Sequence, residues 1–411
     1  MLNKNGEREL AYLVRIDELR PIEGYDRVEH ARVGGWWVIV KKDQFKVGDP
    51  AVYIEVDAKV PEKEPFMFLE KRNFKVKTLK MCKVISQGLL MAPADFGWLI
   101  ANFEVNDTET DTLIHTADGN ILHLGDFVTE LLGITYAEAE DNKRKAPSVD
   151  KYKFMAQRNK KLFSKQPFRW LMRREWGKKL LFIFFGRKKD KKGGWPAWVA
   201  KTDEERCQNM PWLFPGNPEE EWIATEKVDG TSTTFTMKGF GRKCEFYICS
   251  RNVVFDKPDK NCYYDINVSV EMAEKYNIEK VLAEILFRYS AVCNFVTIQG
   301  ETYGTAVQKR DYGLEGRDFV AFNVILGYED GHTERLNPIQ MKELLDEFGI
   351  PTVAIVDEHF KIPTTCDELL AMAGGASAID GGMREGLVFR SYDGVKSFKA
   401  VDNNFLLKYH R

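Results

Sequence analysis

The chain is poor in the residues that build metal- or disulfide-stapled scaffolds. It holds six histidines and seven cysteines in 411 residues. The cysteines, at 82, 207, 244, 249, 262, 293 and 366, form no CxxC pair, and no zinc-ligand spacing appears. An odd number of scattered cysteines argues against a disulfide framework and predicts a reducing, cytoplasmic compartment. Long apolar runs are missing too. The longest, LLFIFFG at 180–186, is far too short to cross a bilayer and is flanked by lysine and arginine; it reads as a buried segment or an interfacial one. The opening MLNKNGERELAYL lacks the apolar core of a signal peptide. Net charge is nearly absent at −2, so the overall balance says little about partners. No internal repeat is visible. These absences predict a soluble intracellular protein, monomeric and without a membrane partner.

What is present is unevenly placed. Between Lys143 and Lys192 stand nineteen Lys/Arg against three acids, which leaves the rest of the chain strongly acidic. Such asymmetry predicts a basic arm or face that meets nucleic acid, or else a solvated linker helix.

Three regions follow from composition and periodicity. Residues 1–130 read as short strands between turns, with Gly34-Gly35 and Gly48-Asp49-Pro50 punctuating β-rich runs. Strands at this spacing suggest a small β-barrel, the OB-fold being one common solution. Trp36 and Trp37 fall on opposite faces if extended, one a core residue and the other a candidate base-stacking platform. In KRNFKVKTLKMCKV (71–84), Lys75 and Lys77 share one face of a possible strand, with Lys80 and Lys83 nearby, and are candidate nucleic-acid contacts or a solvated edge. Residues 131–195 are a basic connector, helical from about 151 to 180, ending in GRKKDKKGGWP. Residues 196–411 alternate strands and helices. EMAEKYNIEKVLAEILFRY (271–289) predicts one amphipathic helix and NPIQMKELLDEFGIP (337–351) a second, capped by Asn337 and stopped by Gly349. FVAFNVIL (319–326) and REGLVFRS (384–391) predict strands. The expected class is α+β.

Within the last region, ATEKVDGTSTTF (224–235) sets Lys227 two residues before an Asp-Gly pair. Lys-x-Asp-Gly alone is a weak signal. It is followed in order by CSRN with Ser250 and Arg251, IQGETYG with Glu301, VAFNV with Phe322, EGLVFR with Glu385, and KSFKAVDNNFLLKY with Lys396 and Lys399. This ordered series resembles the covalent nucleotidyltransferase superfamily of polynucleotide ligases and mRNA capping enzymes. Upstream, WVAKTDEERCQN (198–209) resembles the segment before the nucleophile in ATP-dependent RNA ligases, with Arg206 at the phosphate-holding position. The narrower resemblance is to the ligases with an N-terminal OB module and a C-terminal nucleotidyltransferase domain. It covers residues 10–100 loosely and 196–411 closely. Ser397 stands between Lys396 and Lys399 where the family sets two lysines closer together, and Asp402 stands where relatives often have serine.

The resemblance implies an ATP-dependent RNA ligase that seals 3′-OH and 5′-phosphate RNA ends through a lysyl-AMP intermediate, as in RNA repair. Lys227 is then the nucleophile, with Lys399 also catalytic. Arg206, Glu226, Arg251, Glu301, Phe322, Glu385, Lys396 and Lys399 bind ATP, Phe322 by stacking on adenine. Asp229, Glu301 and Glu385 are hard oxygen donors for Mg²⁺ or Mn²⁺ held through waters. The chemistry suits these residue types. Free lysine is protonated near neutrality and gains nucleophilicity only by desolvation or a nearby cation, while pyrophosphate departure calls for Arg and Lys around the phosphates. Two alternatives stay open: a DNA ligase or capping guanylyltransferase on the same core, and a degenerate OB protein that only binds nucleic acid.

Overall fold

The computed structural model describes residues 9–81, 83–97, 100–105, 112–116, 119, 121–137, 162, 165–185, 195–239, 243–251, 254–255, 267–289 and 291–409. Residues 151–161, the start of the expected connector helix, and most of GRKKDKKGGWP lie outside them.

The N-terminal strands β1 (Ala11–Arg15), β2 (Glu18–Ile22), β3 (Tyr25–Val33), β4 (Trp36–Lys41), β5 (Pro50–Ile54) and β6 (Leu89–Met91) pair antiparallel as β1-β5-β6 and β2-β3-β4. Alternation puts Trp36 in the core at 2 % exposure. Its neighbour Trp37 turns outward under the Arg20 guanidinium, 4.4 Å from the ring centroid. Val128, Leu132 and Ile134 pack into the same core as Leu10, Leu13 and Phe66, so the barrel's apolar interior runs past residue 130. The stretch 71–84 is not one strand. A 3-10 helix over Met67–Arg72 ends with Asn73 and Phe74 at positive φ, and only Leu79–Met81 is extended before the turn. Lys75 is therefore buried and Lys77 exposed, on no shared face.

In the described part of the stretch expected to be helical stand two short helices, α1 (Gln166–Met172) and α2 (Glu175–Phe185), separated at Arg173-Arg174. Among the described residues no helix is long and apolar enough to cross a membrane.

Two antiparallel sheets build the C-terminal half. Strands β7 (Trp222–Lys227), β12 (Ile355–Phe360), β13 (Gly386–Arg390) and β14 (Ser397–Val401) form one, in the order β12-β7-β13-β14. The other is centred on β8 (Thr231–Lys238), β9 (Glu245–Ser250), β10 (Cys293–Gly304) and β11 (Arg317–Tyr328), in the order β9-β8-β10-β11. The expected helix at 271–289 is two, α3 (Val268–Lys275) and α4 (Ile278–Arg288), because Asn277 adopts a left-handed φ of 49°, which asparagine tolerates well. The predicted apolar stripe, Ile278, Val281, Leu282, Ile285 and Leu286, falls wholly on α4 and is buried against the larger sheet. Helix α5 (Pro338–Asp346) has the expected Asn337 cap, whose side chain accepts from the Ile339 and Gln340 amides. Helix α6 (Cys366–Ala373) ends under Arg384, whose guanidinium donates to the carbonyls of Met372, Ala373 and Gly374. The chain closes in α7 (Asn403–Tyr409), where Asp402 accepts from the Asn404 amide, the role of the departure noted at that position.

Candidate active site

The chain crosses from the smaller sheet to the larger one between β7 and β8, and the crossing is the Lys-x-Asp-Gly turn. Register does the rest. Lys227 pairs with Gly386 on β13, which brings the preceding Glu385 alongside, and Ser232 pairs with Glu301 on β10. The Lys227 Nζ lies 2.7 Å from Glu385 Oε2. Gly230 is required by close approach: a Cβ there would stand 2.3 Å from the Thr302 carbonyl oxygen and 2.9 Å from Glu301 Cγ.

A cleft of about 240 Å³ opens above this seam. It is lined by Lys227, Glu226, Glu301, Arg251, Phe322 and Lys399 among the expected residues, together with Gly230 of the turn. Glu385 reaches it through its pair with Lys227.

Charge in the cleft is unbalanced. Burial pushes the Lys227 amine down, but Glu385, Glu301 and Asp229 outweigh it and hold the ammonium above the ordinary lysine value. Burial, then Glu385 and Asp229, push Glu301 up to about 8 against the pull of Lys227. Burial and Glu385 push Asp229 up to about 6. Three carboxylates thus share one ammonium in a desolvated place.

The remaining expected residues divide. Glu226 is buried; its Oε2 accepts from the Ala378 amide at 2.7 Å, and its Oε1, also buried, has no partner among the described residues. Arg251 pairs with Asp203 at 2.7 Å on the rim. Arg206 forms a parallel bridge with Lys399, whose amide donates to the Glu205 carbonyl. The Arg206 side chain is half-buried against the Trp36 ring, 5.7 Å away, and its buried Nη1 lacks a partner among the described residues. Lys396 is not brought in. It precedes β14 in an exposed turn and bonds Glu220 at 2.9 Å. Neither Lys75 nor Lys77 lines the cleft.

Several neighbours of the cleft stand outside the motifs. Glu204, half-buried, pairs with the buried Arg390 at 3.0 Å and accepts from the Ser397 hydroxyl, which gives that serine its place. Arg390 also donates to the Phe322 carbonyl at 2.8 Å, tying β11 to β13 behind the cleft wall. The acidic run TDEE beside Arg206 was the available signal. Gln308 and Tyr312, in the loop between β10 and β11, carried none.

Residues 220–410 match the RNA ligase family model, and residues 10–93 match an OB-fold domain. No curated protein matches the sequence significantly. Among solved structures, the Naegleria gruberi RNA ligase with pyrophosphate aligns at TM-score 0.66 and 25 % identity, over 98 % of both chains. A mutant of that ligase with ATP and Mn aligns at TM-score 0.65 and 25 % identity, over 98 % of this chain and 99 % of that one. Another with AMP and Mn gives 0.66 and 25 %, with the same coverage. Two matched domains in this order, a whole-chain structural match and a lysine–carboxylate cleft at the seam of two sheets lead to one conclusion: the chain carries an RNA ligase family domain over residues 220–410, following an OB-fold domain over residues 10–93.

Proposed function

We propose that the enzyme uses ATP and a divalent cation to join RNA 3′-OH and 5′-phosphate ends, through an AMP carried on Lys227. One observation carries the reading: Lys227 Nζ stands 2.7 Å from Glu385 in a cleft it shares with Glu301, with Asp229 close enough to raise its charge state.

The residues fit the nucleotide. The orphaned Glu226 Oε1 is a buried acceptor suited to an exocyclic amine such as that of adenine. Phe322 offers a ring on the cleft wall. Arg251 and Lys399 bring positive charge to the phosphates, and the unpartnered Arg206 Nη1 has a donor to give. Lys396 takes no part in this reading.

The residues also fit a divalent cation. The proton affinities of Glu301 and Asp229 mark an excess of negative charge. Among the described residues no three His, Cys, Asp or Glu side chains group closely enough to wrap an ion directly, so Asp229, Glu301 and Glu385 would hold it through waters. When bound, Mg²⁺ or Mn²⁺ lowers the proton affinity of the amine and neutralises phosphate charge.

Lys227 first gives one ammonium proton to solvent, and the neutral amine attacks the α-phosphorus. An N–P bond forms, the P–O bond to the β-phosphate breaks, pyrophosphate leaves, and the amine proton passes to Glu385 Oε2. An RNA 5′-phosphate oxygen then displaces Lys227 from the phosphorus. The RNA 3′-OH attacks the resulting adenylylated end and releases AMP. Incubation with α-labelled ATP and Mg²⁺ or Mn²⁺ is expected to label the protein, and Lys227→Ala to abolish the label; labelling of the variant at the wild-type level overturns the reading.

A further inference from the structure

The Lys-x-Asp-Gly turn is held by two side chains from one loop. The Asp229 amide donates to the Tyr312 hydroxyl at 2.7 Å, and Gln308 Nε2 donates to the Gly230 carbonyl at 2.9 Å. The backbone two and three residues beyond the nucleophile is therefore fixed by the loop between β10 and β11. The loop is itself braced. The Tyr312 ring is buried between Tyr303, 5.2 Å away edge-on, and the Arg310 guanidinium, 4.1 Å away. Arg310, buried in turn, pairs with Asp380 at 2.5 Å. Lys309 donates to the Tyr409 carbonyl at the end of α7. Tyr312 has a φ of 54°, a left-handed conformation costly for a bulky side chain. Such strain persists where surrounding contacts over-determine it, and it concentrates at functional sites.

We propose that Tyr312, seconded by Gln308, is a positioning residue for the nucleophile, clamping the Asp229-Gly230 turn so that Lys227 Nζ meets the α-phosphorus in line. The inference rests on the lysyl-AMP reading and adds to it the residues that aim the lysine. A clamp on the attacking amine matters most where that amine attacks. Sealing of RNA already adenylylated at its 5′ end needs no attack by Lys227. A merely structural role would slow both reactions together.

Tyr312→Phe keeps the ring and removes only the acceptor for the Asp229 amide. The rate of Lys227 labelling by ATP is expected to fall roughly ten- to a hundredfold, the scale of a small misplacement of a reacting group, while sealing of pre-adenylylated RNA changes about threefold or less. Gln308→Ala, at an exposed position, is expected to give the same selectivity with a smaller loss, and it decides the matter if Tyr312→Phe fails to fold. Wild-type labelling in both variants, or equal losses in both reactions, overturns the proposal. Persistent labelling of Lys227→Ala would instead overturn the reading beneath it.

Discussion

Glu301 and Asp229 hold their protons far more tightly in the fold than in the unfolded chain, and this has a pH signature. The folded state binds more protons than the unfolded state from the ordinary glutamate value of 4.5 up to about 8. Stability from this source is complete below that window and is lost as pH rises through it. The metal-free protein is expected to show an unfolding midpoint that declines from about pH 5 to about pH 8, and Glu301→Gln to flatten the decline. A decline of equal steepness in the variant would contradict the charge balance described here. At this scale much was legible. Lys227, Glu301, Phe322 and Lys399 sit on or beside strands whose order the motifs carry, and all line the cleft. The spacing across Ser397 already set Lys396 apart from Lys399, and Lys396 indeed falls just before β14, bonded to Glu220, while Lys399 sits within the strand and lines the cleft. Gln308 and Tyr312 reach the turn through pairings with no local pattern.

Among the elements, the β7–β8 crossing matters most, since it carries the chain from one sheet to the other at the nucleophile. Gly230→Ala would drive a methyl group into the Thr302 carbonyl and Glu301 Cγ. It is expected to abolish labelling while leaving the far ends of both sheets intact, as read by circular dichroism; a variant labelled at the wild-type rate would show that the turn tolerates displacement. Element types were readable wherever periodicity was strong, as in α5 with its Asn337 cap. They failed where a break carried no glycine or proline. Asn277 splits the expected 271–289 helix, and Asn73-Phe74 in left-handed conformations dismantle the strand that would have aligned Lys75 with Lys77.

The whole molecule is held across its domains by a polar junction that composition could not reveal. Asn209 accepts from the Trp36 indole at 2.8 Å and donates to Glu55 at 2.8 Å, so two barrel residues grip the turn that carries Arg206. Arg32 reaches Asp367 at 3.3 Å, and Lys80 donates to the Leu407 carbonyl in α7. Asn209→Ala should cost about 1–3 kcal/mol, since it strips partners from buried polar groups. Urea denaturation is expected to give one transition for both domains at a lowered midpoint, and two independent transitions unmoved by the substitution would contradict a coupled junction. The chemistry turns on which atom receives AMP. The decisive measurement is peptide mapping by mass spectrometry after incubation with ATP and Mg²⁺ or Mn²⁺: it should find AMP on Lys227, in a peptide from β7 and the turn after it, and AMP on any other residue, or on none, would contradict the mechanism.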